Sequence, residues 1–314
     1  MCTNITLKSS DNTVLMARTM DFSFALDPEM MVYPRNFKLN FAFNEPLEHH
    51  YAFLGLSKNI GVFALADGIN EHGLTAAALY FEGYATYEST VVEGKSIAPN
   101  DIVMWMLAKC KTVEDVKEVF QTHHLVELKL EFLGMIPPLH WVFQDIEGNS
   151  IIVEPLEDGI KIYENKLGVL TNSPDYGWHK TNVRSYIGLD PAQVEPRTIY
   201  GENFKAFGQG SGTFGLPGDL TPPSRFVKAL YSKLSTKKAA NEAELVVAAS
   251  HILNNVDIPK GSVVTQRKTI DYTQYTAYMI SNTQTYYYRL YDSLNTEVVN
   301  LNDFDLDGNE IIKV

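Results

Sequence analysis

Short apolar runs separated by polar turns predict strands at both ends of this chain, with helices between them. Runs at Cys2–Leu7 and Val14–Met20 flank the polar turn SSDN and predict a β-hairpin. Leu74–Phe81 is almost continuously apolar, which indicates a strand covered on both faces. The other predicted strands are Tyr51–Leu56, Val62–Ala66, Leu139–Phe143, Ser150–Glu154, Gly159–Tyr163, Gly168–Thr171, Tyr275–Ser281, Thr285–Tyr291 and Thr296–Leu301.

Helical spacing and N-cap residues predict four helices between these strands. The expected N-caps are Asn100, Thr112, Ser224 and Asn241. The first two precede the runs Ile102–Ala108 and Val113–Gln121, and Asp115 occupies the capping-box position after Thr112. Alternating blocks of strands and helices predict an α+β fold, with two sheets covered by helices in one layered domain over residues 1–314.

Composition narrows the classes of protein that this chain can represent. It has 26 basic and 38 acidic residues, a formal charge of −12, and 45% hydrophobic residues. This balance predicts a globular protein and argues against a nucleic-acid partner, which requires a basic face. No apolar run approaches 18 residues and no signal-peptide pattern opens the chain, so neither a membrane span nor secretion is expected. Two cysteines form no disulfide framework, which favours a reducing, cytoplasmic setting.

The most informative residue is Cys2, which directly follows Met1. If Met1 is removed, Cys2 carries both a thiol and a free α-amine, a group whose ordinary pKa is about 7.7–8.0. One residue would then supply the nucleophile and its general base. The alternative is that a cysteine stands at this position by chance.

Four polar residues are candidates to act with Cys2. A tight hairpin would bring Arg18 and Asp21 towards it, where a guanidinium favours the thiolate and a carboxylate orients the amine. Asn172 ends a predicted strand and could donate to an oxyanion, although an ordinary Asn in a Ser-Pro turn is the alternative. Arg225 falls in the first turn of a predicted helix, where a cation opposes the helix dipole, as expected of a residue that serves a site. For Arg18 and Asp21 the alternative is a strand-end ion pair.

A glycine-rich segment, Phe207–Asp219, matches G-x-G-x-x-G at Gly210, Gly212 and Gly215. No clear strand precedes it, and Leu-Pro-Gly-Asp follows where a helix should begin. The segment is therefore interpreted as an exposed loop and not as a dinucleotide site.

Five segments together resemble the choloylglycine hydrolases, the family of conjugated bile-salt hydrolases and penicillin V acylases among the N-terminal-nucleophile hydrolases. These segments are Met1-Cys-Thr3, Ala17-Arg-Thr-Met-Asp-Phe22, Asp67-Gly-Ile-Asn-Glu-His-Gly73, Thr171-Asn-Ser-Pro174, and Gly215-Leu-Pro-Gly-Asp219 with Ser224-Arg-Phe226. They run nearly end to end and in the family's order. The resemblance implies a four-layer αββα sandwich of two antiparallel sheets, often assembled as a homotetramer.

The resemblance also implies roles for individual residues. Cys2 matches the nucleophile after loss of Met1, Arg18 and Asp21 match the pair beside it, and Arg225 matches the arginine of the site. Asn172 matches the asparagine that lines the oxyanion hole. This chemistry needs no metal and no cofactor, and its partner is a small-molecule N-acyl amide.

Tyr80 separates the two branches of the family. Its backbone N–H matches the second oxyanion donor, and the resemblance implies Tyr in penicillin V acylases but usually Asn in bile-salt hydrolases. The expected activity is therefore penicillin V acylase, which converts phenoxymethylpenicillin to 6-aminopenicillanic acid through a thioester. The alternatives are bile-salt hydrolysis, N-acyl homoserine lactone deacylation, and a ligand-binding protein that lost the chemistry.

The resemblance places aromatic and apolar side chains near the acyl group. The candidate substrate-binding residues are Phe22, Phe24, Phe81, Met135 and Ile136. Each is equally consistent with a place in the hydrophobic core.

Overall fold

The computed structural model describes residues 1–59, 63–131 and 133–314. Its strands are β1 Cys2–Lys8, β2 Val14–Phe22, β3 Glu29–Tyr33, β4 Phe53–Asn59, β5 Phe63–Leu65, β6 Asp67–Asn70, β7 Thr75–Tyr80, β8 Ser96–Ile97, β9 His124–Leu125, β10 Leu139–Gln144, β11 Ser150–Leu156, β12 Gly159–Glu164, β13 Val169–Leu170, β14 Arg197–Ile199, β15 Glu202–Phe204, β16 Val263–Val264, β17 Ile270–Ile280, β18 Thr285–Leu290, β19 Glu297–Asn300 and β20 Ile312–Lys313. Its α-helices are α1 Ile102–Lys109, α2 Val113–Thr122, α3 Tyr176–Asn182, α4 Pro222–Ser235 and α5 Glu242–Asn254.

Two large antiparallel sheets form the centre of the molecule. The first has the order β13-β1-β2-β17-β18-β19, with β16 paired to β17. The second has the order β12-β11-β10-β7-β6-β4-β3-β20, with β5 paired to β4. Strands this hydrophobic need cover on both faces. Helices α4 and α5 cover the outer face of the first sheet, and α1 and α2 cover the second. The fold is therefore the predicted αββα sandwich of the N-terminal-nucleophile hydrolases.

Apolar side chains fill both the space between the sheets and the spaces under the helices. One buried cluster includes Ile5 and Leu15 from the first sheet, Val142 and Ile152 from the second, and Phe226 from α4. A second cluster joins the outer face of the second sheet to α1 and α2. Strand β7 is buried along most of its length, as its continuous apolar run predicts. Every described helix is too short or too polar to span a lipid bilayer.

The hairpin and two of the four predicted N-caps are confirmed. Thr112 forms a capping box with Asp115, and Asn241 accepts a hydrogen bond from the N–H of Glu244. The prediction for Asn100 is wrong, because a short 3-10 turn intervenes and α1 begins after Asp101.

Ser224 is also not an N-cap, because α4 begins earlier. Thr221 is the N-cap and Pro222 is the first helical residue, a position that proline favours because its missing N–H is not needed there. Ser224 instead donates to Asp219 at 2.6 Å.

Several elements of the structure were not predicted. Strand β3 lies between Pro28 and Pro34, β6 has the turn-like sequence DGIN, and α3 follows directly on a Ser-Pro turn. In each case sheet pairing or packing outweighs the local signal. The predicted strand Val62–Ala66 is seen as Phe63–Leu65, and Val62 lies outside the described residues.

Candidate active site

The first hairpin places Cys2 beside Arg18. Strands β1 and β2 pair with Cys2 opposite Met20 and Asn4 opposite Arg18. The Cys2 side chain is 3% exposed, and Arg18 Nη2 lies 2.8 Å from its Sγ. The guanidinium is therefore placed to stabilise a thiolate, as the sequence predicts.

A second carboxylate, Asp67, holds Arg18 in this position. Asp67 on β6 accepts from Arg18 Nη1 at 3.1 Å and from the hydroxyl of Tyr275 at 2.6 Å, and the hydroxyl of Tyr286 also donates to it. Arg18 Nη1 also donates to the carbonyl of Ala78 at 3.1 Å. Burial acts to lower the pKa of Arg18, but the neighbouring Cys2, Tyr275 and Asp67 outweigh it and raise that pKa. The two sheets are thus joined by a compensated buried charge next to the sulfur.

Asn172 and Arg225 surround the backbone of Cys2. The Cys2 N–H donates to Asn172 Oδ1 at 2.7 Å, and Arg225 Nη2 donates to the same oxygen at 2.7 Å. Arg225 Nη1 donates to the Cys2 carbonyl at 2.6 Å and to Thr3 Oγ1 at 2.6 Å. Burial lowers the pKa of Arg225, and Asp21 acts against this. Met1 precedes Cys2 here, so this nitrogen is the atom that Met1 removal would convert to an amine.

Arg18, Asp67, Asn172 and Arg225 form a hydrogen-bonded cluster around Cys2. Asp21 belongs to this cluster, although its carboxylate does not bond Cys2 directly. Its Oδ1 accepts from Thr273 Oγ1 at 2.6 Å, and Arg225 Nη1 lies 3.9 Å from its Oδ2. Burial raises the pKa of Asp21, and the charge of Arg225 acts against that rise. The Met1 ammonium bonds the Asp21 carbonyl at 2.7 Å and Asp271 at 3.1 Å.

The backbone of Tyr80 faces Asn172. Just after β7 the N–H of Phe81 donates to the carbonyl of Pro138. Within β7 the N–H of Ala78 donates to the carbonyl of Ala66, on the opposite side of the strand. By the alternation of a strand, the N–H of Tyr80 shares the direction of Ala78. The Tyr80 carbonyl on that side accepts from Asn172 Nδ2 at 2.7 Å, which leaves the second N–H of this amide available. This is the orientation that an oxyanion donor requires, and its catalytic role stays a prediction.

An apolar cavity opens at the sulfur of Cys2. Its wall combines residues from both sheets with residues from the connections around α1 and before β10. They are Cys2, Met20, Phe22, Leu26, Pro28, Leu56, Lys58, Leu65, Ala66, Ala78, Tyr80, Pro99, Asn100, Val103, Leu130, Leu133, Pro137, Leu139 and Tyr275. Such a wall suits a hydrophobic acyl group.

The predicted substrate-binding residues divide between this cavity and its surroundings. Phe22 lines it, and Phe24 is 39% exposed with its ring 5.9 Å from that of Phe22, outside the wall. Met135 lies behind Tyr80, with its Sδ 3.9 Å from the tyrosine hydroxyl, and Ile136 only precedes a wall residue. Neither belongs to the wall formed by the described residues.

Phe81, the remaining predicted substrate-binding residue, lies outside the cavity wall formed by the described residues. Its side chain is fully buried and stacks on the ring of His140 at 4.2 Å, so it faces away from the cavity. Phe81 is the first residue after β7, and Tyr80, the last residue of that strand, lines the cavity.

Sequence reasoning assigned no role to Asp67, Tyr275, Thr273, His140 or His179, although all lie in or against the cluster. The available signals were the segment that begins at Asp67, quoted above without a function, and the position of His140 and His179 near segments of the family resemblance. Within the described residues, no group of three or more His, Cys, Asp or Glu side chains is arranged to hold a metal ion.

Comparison with known proteins decides the family. Residues 2–314 match the linear amide C–N hydrolases of the choloylglycine hydrolase family. The chain belongs to this family. It is accordingly a hydrolase of linear amide C–N bonds, in agreement with the resemblance seen in the sequence.

Several curated relatives are bile-salt enzymes. The chain is 36% identical over 314 residues to the bile salt hydrolase/transferase of Clostridium perfringens, which covers 99% of this chain and 95% of the relative. It is 34% identical to the bile salt hydrolase/transferase of Lactiplantibacillus plantarum, with 99% and 96% covered. The conjugated bile acid hydrolase of Lactobacillus gasseri is 32% identical, with 99% of both chains covered.

Among solved structures, a bile acid hydrolase is likewise more similar to this chain than a penicillin V acylase is. A conjugated bile acid hydrolase from Clostridium perfringens superposes with a TM-score of 0.91 at 35% identity, covering 100% of this chain and 96% of that chain. A penicillin V acylase from Agrobacterium tumefaciens gives 0.77 at 21% identity, with 99% and 90% covered, a likeness of fold alone. The preference for penicillin V acylase, which depended on Tyr80, is therefore less well supported than its bile-salt alternative.

Proposed function

We propose that this hydrolase cleaves the amide bond of conjugated bile salts. One observation carries the proposal: Cys2 lines an apolar cavity, while its nitrogen and carbonyl lie in a hydrogen-bonded cluster. A large hydrophobic acyl group would occupy the cavity, with its amide carbonyl at the sulfur. The similarity to bile-salt hydrolases along the whole chain supports this substrate class.

The proposed reaction uses the two functional groups of a mature Cys2. After Met1 is removed, the α-amine takes the thiol proton, directly or through one water, and the sulfur attacks the amide carbonyl. The α-ammonium returns the proton to the leaving amine, and a thioester remains on Cys2. The amine then activates water, which releases the free acid and regenerates the thiol.

Neighbouring groups stabilise the charges that develop. The tetrahedral oxyanion would accept from the Tyr80 N–H and from the free N–H of Asn172 Nδ2. Arg18 would stabilise the thiolate from 2.8 Å. Asn172 Oδ1, now 2.7 Å from the Cys2 nitrogen, would orient the α-amine, and Asp21 would balance the charge of Arg225.

Hydrolysis of the side-chain amide of penicillin V is the second candidate. Tyr80 favours it, because this aromatic ring lies in the cavity wall next to the site of attack, where a phenoxyacetyl group could stack. Deacylation of N-acyl homoserine lactones would use the same chemistry with a different acyl chain.

A side-by-side assay tests the proposal. The mature protein is incubated with glycocholate, taurocholate, penicillin V and a long-chain acyl homoserine lactone, with Cys2→Ala as the blank. The kcat/KM for one of the two bile salts should exceed that for penicillin V at least about tenfold, a difference of about 1.4 kcal/mol. A larger kcat/KM for penicillin V would overturn the bile-salt assignment in favour of the second candidate.

Loss of Met1 and assembly as a homotetramer complete the proposal. Intact-mass analysis of an active preparation should show Cys2 as the first residue, because the mechanism needs its free amine. Retention of Met1 in a fully active preparation would exclude the α-amine as the base. Light scattering measures the subunit number, and the absence of a tetramer would contradict that part.

A further inference from the structure

Two buried histidines contact the backbone on either side of Asn172. His140 lies on β10, and its Nε2 is 2.9 Å from the carbonyl oxygen of Thr171. His179 lies on α3, and its Nε2 is 2.9 Å from the carbonyl oxygen of Asn172. Both side chains are 0% exposed, although the proposed reaction gives neither of them a step.

These contacts fix the two peptide groups that meet at the Cα of Asn172. The Thr171 carbonyl belongs to the preceding peptide and the Asn172 carbonyl belongs to the following one. Because each peptide group is planar, holding both of them fixes the backbone dihedrals of Asn172. The direction of its side chain, which bonds the Cys2 nitrogen at 2.7 Å, follows from that backbone.

Hydrogen-bond chemistry defines the donor on His179. A carbonyl oxygen can only accept, so Nε2 carries the hydrogen. Its Nδ1 is buried with no hydrogen-bond partner among the described residues. Burial lowers the pKa of His179 to about 4, which keeps the ring neutral with a single N–H.

His140 is held from its other side. Its Nδ1 lies 3.1 Å from Glu154 Oε1, and the same carboxylate accepts from the N–H of Tyr176, the first residue of α3. Glu154 therefore connects His140 to the helix that carries His179. Both ring nitrogens of His140 are therefore engaged, Nε2 at the Thr171 carbonyl and Nδ1 at the Glu154 carboxylate.

Aromatic rings fix the planes of both imidazoles. Phe81 stacks on His140 at 4.2 Å and Phe226 stacks on His179 at 4.7 Å, each with an interplanar angle of 8°. Phe226 directly follows Arg225, which donates to Asn172 Oδ1. The Nε2–H group of each histidine, which donates to a backbone carbonyl beside Asn172, therefore has one orientation.

We propose that His140 and His179 are positioning residues, which hold Asn172 so that its carboxamide meets the Cys2 nitrogen and the oxyanion at once. Misplacing a reacting or orienting group by about 1 Å can cost about a hundredfold in rate. The inference rests on the Cys2-centred amide hydrolysis of the proposed function, whichever amide is cleaved.

A matched pair of variants at each position tests this inference. His179→Gln keeps an N–H near Nε2, whereas His179→Met keeps the size and loses the donor; His140→Gln and His140→Met repeat the comparison independently. We expect each Met variant to lower kcat by about tenfold to a hundredfold with KM changed less than about threefold, and each Gln variant to recover most of kcat. Equal activity of Met and Gln variants would overturn the role of the hydrogen bonds.

His50 provides the control, because it is also buried and has ring nitrogens 2.7 and 2.9 Å from the backbone carbonyls of Tyr51 and Phe37, away from Cys2. His50→Met should lower the melting temperature and leave kcat unchanged. If it lowered kcat as much as His179→Met, the effect would be general destabilisation and the inference would fail.

A readout without turnover separates this inference from the proposed function. The side-chain amide signal of Asn172 in an NMR spectrum should shift in His179→Met and return in His179→Gln. If no tested amide is cleaved, the proposed function fails while this measurement still decides the positioning role. An unchanged Asn172 signal in both Met variants would contradict it.

Discussion

Two regions meet at Cys2, and they are built on opposite principles. Around its backbone, Asn172 and Arg225 form hydrogen bonds of 2.6–2.7 Å. Arg225 Nη1 and Asn172 Oδ1 each have two partners. Beside its side chain lies the cavity, whose wall is mostly apolar, and Arg18 is the charged group that contacts the sulfur. Directional bonds tolerate little change, whereas apolar contacts are non-directional and adapt to shape. We therefore expect the hydrogen-bonded cluster to set the reaction and the cavity to select the substrate.

The largest effect on the cluster should come from Cys2→Ala, which removes the nucleophile. We expect turnover to fall by at least about 10⁴-fold, to the rate of the same mixture without enzyme. The fold should persist, because the lost sulfur is small and removing a buried group of this size costs about 1 kcal/mol. Activity assays and thermal unfolding of the same preparation measure both, and hydrolysis within about tenfold of wild type would disprove nucleophilic attack by Cys2.

Asp67→Asn should break the charge balance of the cluster without touching the sulfur. Asp67 is fully buried and pairs with Arg18 at 3.1 Å, so the substitution leaves a buried cation without its partner. We expect the free energy of unfolding to fall by about 3–5 kcal/mol, measured by denaturant titration. Asp307→Asn removes an exposed partner of Arg35 and should cost less than about 1 kcal/mol. Equal losses for the two variants would show that the buried pair has no special weight.

Acid should weaken the cluster through His179. Its pKa falls from 6.5 to about 4 on folding, mainly by burial, so between these values the unfolded chain binds a proton that the folded chain does not. Stability from this group is therefore complete above about pH 6.5 and is lost as the pH falls towards 4, by up to about 3 kcal/mol. The free energy of unfolding at pH values of about 4.5 and 7 measures it. His179→Gln cannot titrate and should show a smaller difference; an equal difference would exclude His179 as its source.

The cluster was more predictable from the sequence than the cavity. Arg18, Asp21, Asn172 and Arg225 are polar residues that packing does not require, so their chemistry and family resemblance could identify them. Asp67 was not assigned because its partner Tyr275 lies 208 positions away on the other sheet, and the two side chains meet only where the two sheets pack face to face. The positions of most strands and helices followed from apolar periodicity, which burial enforces along whole elements, whereas the αββα layering was implied by the family resemblance and the strand order was not predicted.

Aromatic residues show why the cavity could not be predicted. Phe22 is the last residue of β2 and Phe81 directly follows β7. Their residue type alone gives each the same chance of lining a pocket. Only the folded structure separates the wall residue Phe22, at the end of β2, from Phe81, which follows β7 and stacks on His140. The start of α4 was also predicted wrongly from the local sequence, because Pro222 rather than the residue after Ser224 is its first residue.

The smallest predicted effect belongs to the cavity and concerns Tyr80. The Tyr80 ring lines the wall, whereas its N–H and carbonyl belong to the cluster, so Tyr80→Asn changes the cavity and keeps the backbone donor. We expect the ratio of kcat/KM for glycocholate over penicillin V to rise by about tenfold, or about 1.4 kcal/mol, because the ring that favours a phenoxyacetyl group is lost. Tyr84→Asn, which removes a partly exposed ring that stacks on Phe81 outside the wall, should leave the ratio unchanged. If Tyr80→Asn also left it unchanged, substrate selection would depend on the aliphatic part of the wall, and Tyr80 would no longer support the penicillin V candidate.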